Sequence, residues 1–142
     1  RSLEGSLKRL KRDYIDDFLI HEPLGILTKA EVADLHDKAS RLKEQGKIIR
    51  WGAAGPAVSI AQFGGDPMFD VVQFPLEDLT KVSIAPSQRR IAYGVYRSYL
   101  ASPSGQNMKF TTFVKNRLDH GGMDLIVATT SSATLASFRE WF

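Results

Sequence analysis

The chain has 142 residues, 43% hydrophobic and 25% charged, which suits one ordinary globular domain with a real core. Its 19 Lys and Arg stand against 16 Asp and Glu, a formal charge of +3 that is too small to mark a nucleic-acid-binding surface. No Cys is present, which excludes disulfide scaffolds, thiolate metal sites and cysteine nucleophiles and fits a reducing cytoplasm.

Basic residues gather at Lys8, Arg9, Lys11 and Arg12, and Asp13, Asp16 and Asp17 follow at once, the pattern of a solvated helix end. No apolar run approaches the roughly 18 residues of a membrane helix. A sequence that opens on Arg1 is expected to lack its native N-terminus, so a signal peptide is not testable on it.

In chain order, Leu3, Leu7 and Leu10 share one helix face and predict a helix over residues 1–10. The apolar run 14–20, ended by His21-Glu22-Pro23, predicts a buried strand. Thr28 and Glu31 form a capping box, Val32, Leu35, Ala39 and Leu42 continue its helical stripe, and Gly46 supplies the stop. Residues 48–54 read as a second strand, 57–63 as a short helix, and 69–74 as a third strand closed by Pro75. Residues 76–88 are weakly helical and 91–96 form a fourth strand. Phe110, Phe113, Val114 and Leu118 mark a helix stopped near Gly121 and Gly122. Residues 124–129 read as a fifth strand, and Ser131 or Ser132 caps a last helix through Trp141.

Strands that alternate with helices imply parallel strands and crossover helices. Right-handed crossovers allow a doubly wound sheet or a barrel, and the pattern does not choose between them. A full (β/α)8 barrel takes about 250 residues, and this chain offers five of the eight units.

Several residues invite a functional reading, each beside a structural one. His21 ends an apolar strand, where side chains of parallel α/β folds face the active site; it can donate to a carbonyl oxygen that gains negative charge, or simply bond to backbone. Gln73 interrupts an apolar strand, and its amide can serve a carboxamide ligand or a neighbouring strand. Tyr93 reads as core or as a barrel-end aromatic. Residues 129–132 suit a helix N-cap, whose free N–H groups also bind phosphate. His36 and His120 look like exposed helix and turn residues, and three scattered His give no metal spacing. No phosphate loop or serine nucleophile elbow occurs, and Gly64-Gly65 reads as a turn.

Five segments in order carry a resemblance. These are Ser6-Leu7-Lys8-Arg9-Leu10 with Asp13-Tyr14-Ile15-Asp16 and Leu19-Ile20-His21; Gly46-Lys47-Ile48-Ile49-Arg50 with Gly52; Asp70-Val71-Val72-Gln73; Ile91-Ala92-Tyr93; and 126–132. Together they resemble the aldo-keto reductase family, from its third helix to the loop after its eighth strand. The resemblance covers nearly the whole chain. It implies an α/β fold, a partial (β/α)8 TIM barrel of five C-terminal βα units with parallel strands, with residues 1–142 as the C-terminal part of one barrel domain. The sheet is then expected to be curved and open, with two unpaired edges to be covered by the missing N-terminal half of the barrel or by self-association.

The resemblance further implies an NAD(P)H-dependent oxidoreductase that reduces aldehydes or ketones to alcohols, or the reverse. The implied cofactor is NADP or NAD and the partner a small carbonyl or alcohol substrate, with no nucleic acid and no membrane. By position, His21 matches the histidine that helps bind the substrate carbonyl. Gln73 matches the partner of the nicotinamide carboxamide, and Tyr93 the aromatic stacked on the nicotinamide ring. Thr130, Ser131 and Ser132 match the stretch near the adenosine phosphate. The aspartate, tyrosine and lysine of the family's tetrad lie on earlier strands, so the fragment is expected to be inactive alone.

Three departures stand out. Ala54-Gly55 replace serine-asparagine, the loop before Ser132 lacks a basic clamp (Arg139 comes several residues late), and Glu22 replaces a pocket aromatic. These leave NADP and NAD both open. They also leave two rivals, a non-catalytic regulatory or interaction subunit and an unrelated barrel enzyme that holds a phosphorylated substrate at its last loops.

Overall fold

The computed structural model describes residues 3–22, 27–63, 65–103, 105–129 and 131–138. In order they form α1 (Leu3–Leu10), β1 (Ile15–His21), α2 (Lys29–Glu44), β2 (Ile48–Ala54), α3 (Ala57–Ile60) and β3 (Val71–Pro75). β4 (Arg89–Tyr93), α4 (Val95–Ala101), α5 (Phe110–Gly121), β5 (Asp124–Leu125) and α6 (Ser132–Phe138) complete them. The strands make one sheet in the order β1-β2-β3-β4-β5, and every neighbouring pair is parallel. This is an open five-stranded parallel sheet wound in one direction, with β1 and β5 at its edges, the arrangement the resemblance implies.

Local chemistry explains the best-defined helix. The Thr28 hydroxyl accepts from the Glu31 N–H at 3.2 Å while the Glu31 carboxylate accepts from the Thr28 N–H at 2.8 Å, so α2 starts with a closed capping box. It ends before Gly46, whose φ of +67° is the left-handed conformation that stops a helix.

Strand side chains alternate between faces. Trp51, Ala53, Val72, Phe74 and Ala92 point to the helices and share a core with Ile60, Phe63, Phe69, Val95, Phe113 and Val114. Trp51 packs tilted against Phe69 with ring centroids 4.6 Å apart, Phe69 meets Phe63 edge to face at 4.8 Å, and the buried indole N–H donates to the Met68 carbonyl at 3.0 Å. Burying each such ring contributes up to about 3 kcal/mol. The other face carries Asp17, Leu19, His21, Arg50, Gly52, Ala54, Val71, Gln73, Arg89, Ile91 and Tyr93, by the same alternation and the observed register.

Gly52 lies inside β2, within the strand read over residues 48–54. A Cβ there would stand 1.7 Å from the Val71 carbonyl oxygen, so only glycine lets β2 and β3 come together.

The structure corrects four local expectations. Residues 76–88 form no α-helix: a three-residue 3-10 turn, Leu76–Asp78, gives way to irregular chain. That chain is tied down by the buried Gln88 amide, which bonds four backbone groups, at Phe63, Gly65, Asp66 and Ala85. The fourth strand ends at Tyr93, and α4 follows, which the sequence reading lacked. The fifth strand is two residues long. His36 is half-buried rather than exposed; its ring lies 5.8 Å from Trp51, and its Nδ1 has no hydrogen-bond partner. Among the described residues no helix is long and apolar enough to cross a membrane.

Candidate active site

Register places the predicted residues. His21 pairs with Ala54, Ala54 with Gln73 and Gln73 with Ile91, while Tyr93 stands two residues beyond Ile91 opposite Pro75. Parallel register and the two-residue period therefore put His21, Ala54, Gln73 and Tyr93 on the inward face at the C-terminal ends of their strands. His21 is exposed, and Gln73 and Tyr93 are half-buried. Among the described residues none of the three side chains has a hydrogen-bond partner. The Gln73 amide thus has no neighbouring strand to serve, one of the two readings its sequence left open.

The loops at this end are fixed by backbone and carboxylate bonds. The Glu22 N–H donates to Ala54 at 2.7 Å and the Gly55 N–H to Gln73 at 3.0 Å, so pairing persists past β1 and β2. Asp78, buried, accepts from the Ala57 N–H at 2.9 Å and from the Lys81 ammonium at 2.7 Å. It clamps the loop after β2 to the turn after β3. The Lys81 hydrogen bond, with that from the Ala57 N–H, holds the Asp78 carboxyl below the usual carboxylate range.

The Tyr93 hydroxyl is pushed up, first by burial and then by the negative charges of Glu22 and Asp78. It is therefore a neutral phenol at pH 7.

At the far edge, Ser131 accepts the Leu135 N–H at 3.1 Å through its carbonyl, as an N-cap residue does, and its own N–H donates to the Thr129 hydroxyl at 3.1 Å. Ser131 and Ser132 are exposed at the start of α6, beyond β5. Thr130 and Arg139 lie outside the described residues. The structure thus brings His21, Gln73 and Tyr93 onto one face at one end, with Ser131 and Ser132 beyond the edge strand.

The other end of the same face holds a group that the sequence reading missed. By sequence Asp17 belongs to the solvated charge run. Its side chain, only 18% exposed, instead accepts from Arg50 at 2.5 Å and from Arg89, which also bonds Asp124 at 2.6 Å. Strand parity was the available signal: Asp17 precedes His21, Arg50 precedes Ala54 and Arg89 precedes Tyr93 by four residues each, so all must face inward with them. Asp78 had no comparable signal, since its partner Ala57 belongs to another βα unit.

No family model matches the chain, and no curated protein matches it. Solved structures do. An aldo/keto reductase from Brucella melitensis aligns over 98% of this chain and 59% of its own, with 16% identity and a TM-score of 0.68. The fold is, in part, that of an aldo-keto reductase barrel. An aldo-keto reductase solved in complex with NADPH aligns over 99% of this chain and 53% of its own, at 17% identity and a TM-score of 0.68. A thermostable aldo-keto reductase solved with the inhibitor epalrestat gives 99% and 58%, at 20% identity and a TM-score of 0.60. The chain thus spans 53–59% of the length of these aldo-keto reductases.

Proposed function

We propose that this chain is the C-terminal five βα units of a nicotinamide-dependent aldo-keto reductase that interconverts small aldehydes or ketones and alcohols. The observation that carries the reading is the row of unpartnered polar side chains, His21, Gln73 and Tyr93, on the inward face of an aldo-keto-reductase-like sheet at its C-terminal end. That end is where barrels of this kind place their chemistry.

The residues present suit such a cofactor. Gln73 offers an amide with both a donor and an acceptor unused, the complement of a carboxamide. Tyr93 offers a half-buried ring at the end of β4. Ser131 and Ser132 stand at the start of α6, where the resemblance places the adenosine phosphate. When bound, NADP or NAD supplies the hydride chemistry. His21 binds and orients the substrate oxygen and stabilises its developing negative charge, and Gln73 and Tyr93 position the ring. The proton donor, as the resemblance implies, is a tyrosine of an earlier strand.

The alternative, a non-catalytic regulatory or interaction subunit, draws on one observation. Ala54, in the row between His21 and Gln73, presents a buried methyl group where a reductase of the resembling family has a hydrogen-bonding serine.

A nicotinamide-fluorescence titration of the intact protein with NADPH and NADH, followed by turnover across a panel of reactive aldehydes, tests the reading. Both cofactors should bind, and with no basic side chain described at the start of α6 their affinities should differ by less than about a hundredfold, ~2.7 kcal/mol. Binding of NADPH without reduction of any carbonyl favours the subunit reading. Failure to bind either cofactor removes both in favour of an unrelated barrel.

A further inference from the structure

We propose that Glu22 is a specificity-determining residue of this site, which selects carbonyl substrates bearing a positive charge close to the carbonyl group over neutral ones of the same shape. The inference rests on the carbonyl-reductase reading and extends it to a substrate class.

Four observations place the Glu22 carboxylate there. The residue directly follows His21, and its N–H still donates to Ala54 at 2.7 Å, so it leaves β1 in register with the rest of the site. Its φ of +41° is left-handed, a conformation that non-glycine residues rarely adopt and that takes the chain out of the extended path of β1. The side chain lies across the end of β2. A Cβ on Gly55 would stand 3.2 Å from the Glu22 Cγ, so the absence of a side chain at Gly55 leaves the space that Glu22 uses. Its negative charge also acts on the Tyr93 hydroxyl, where after burial it is the next cause of that group's upward shift.

The other carboxylates acting on Tyr93 are compensated. Asp78 is paired with Lys81 at 2.7 Å and Glu77 with Arg97 at 3.8 Å. Glu22 has no cationic or hydrogen-bonding partner among the described residues. One uncompensated negative charge therefore remains beside the group that binds the substrate oxygen. Such an exposed charge raises the local concentration of cations and repels carboxylates. The substrate class that fits is an aldehyde or ketone that carries an ammonium group near its carbonyl.

The test compares two aldehydes of matched shape on the intact protein. Trimethylammonioacetaldehyde carries a quaternary ammonium, and 3,3-dimethylbutanal places a neutral tert-butyl group in the same position. The quantity read is the ratio of their kcat/KM values, in wild type and in Glu22→Gln, which removes the charge and keeps the side-chain shape. The ratio should favour the cation in wild type and fall about tenfold in Glu22→Gln, equivalent to about 1.4 kcal/mol. The wild-type preference should also shrink as salt is raised from 0.01 M to 1 M, which a purely structural role for Glu22 does not produce. Reduction of both aldehydes with a ratio that Glu22→Gln leaves unchanged overturns the proposal and leaves the reductase reading standing. Reduction of neither by the wild type, with cofactor bound, overturns the reductase reading and the proposal with it.

Discussion

The two ends of the inward sheet face follow opposite rules. At the end where the strands begin, Asp17, Arg50, Arg89 and Asp124 are bonded to one another across β1, β2, β4 and β5. At the end where the strands finish, His21, Gln73 and Tyr93 have no side-chain hydrogen bonds among the described residues. Polar groups turned into a barrel must be satisfied or they cost stability. The first end meets that demand internally and is architecture, a charged lacing across strands far apart in sequence. The second leaves its polar side chains without partners among the described residues.

The largest expected effect is at the second end. His21→Ala in the intact protein should lower kcat for a reactive aldehyde by about 10²–10³, the cost of one donor to a developing oxyanion. Cofactor Kd and the urea midpoint should barely move. Normal turnover in this variant makes the histidine structural and erases the contrast between the two ends.

At the first end the pattern should invert. Asp17→Ala leaves Arg50 without its carboxylate and Arg89 with Asp124 alone, and should lower unfolding free energy by about 1–3 kcal/mol. Urea denaturation reads this as a shifted midpoint, with cofactor affinity retained. An unshifted midpoint would mean that water compensates these charges and the lacing contributes little.

Tyr93→Ala should weaken NADPH binding by about 1–3 kcal/mol, the scale of a lost stacking platform. Fluorescence titration checks it. An unchanged Kd would place the cofactor elsewhere on the face.

The smallest effect is the clamp between the two loops. Asp78 has a lowered native pKa, so between that value and its unfolded value of about 3.9 the unfolded chain holds more protons than the native one. Its stabilisation is therefore fully present above about pH 5 and is lost as pH falls through the native pKa. The stability difference between wild type and Asp78→Asn should accordingly be about 1 kcal/mol at pH 7 and vanish in acid. A difference that does not change with pH would show that the Ala57 N–H, not the ionised carboxylate, accounts for the contact.

Local signals were legible where they were complete within one segment. The capping box of Thr28 and Glu31 and the bounds of β2, Ile48–Ala54, need only neighbouring residues, and both stand as read. The helix α4 did not announce itself. Gly94 offers no capping side chain, and the helix is held by contacts of Tyr99: its ring packs 5.2 Å from Phe110 and 5.6 Å from Phe113, and its hydroxyl bonds the Met108 carbonyl at 2.9 Å. The stretch 76–88 looked weakly helical from composition, yet Gln88 ties it to four backbone groups of irregular chain. His36 was misjudged because exposure is set by what α2 packs on, here Trp51.

For the site, the sequence by itself determined which residues end the strands and, through the two-residue period, which share a face along each strand. Its alternation of strand-like and helix-like segments also pointed to parallel strands, and β3 and β4 are parallel although only a 3-10 turn and irregular chain join them. It did not determine their register. That His21, Ala54 and Gln73 form one row is a relation between backbones brought together only by folding. The same holds for the pairing of Asp17 with Arg89, two strands beyond the one next to it. The close approach of β2 and β3 likewise needs Gly52, whose missing side chain admits the Val71 carbonyl. No pattern within a single segment carries that information, because the hydrogen bonds that set it belong to two segments at once.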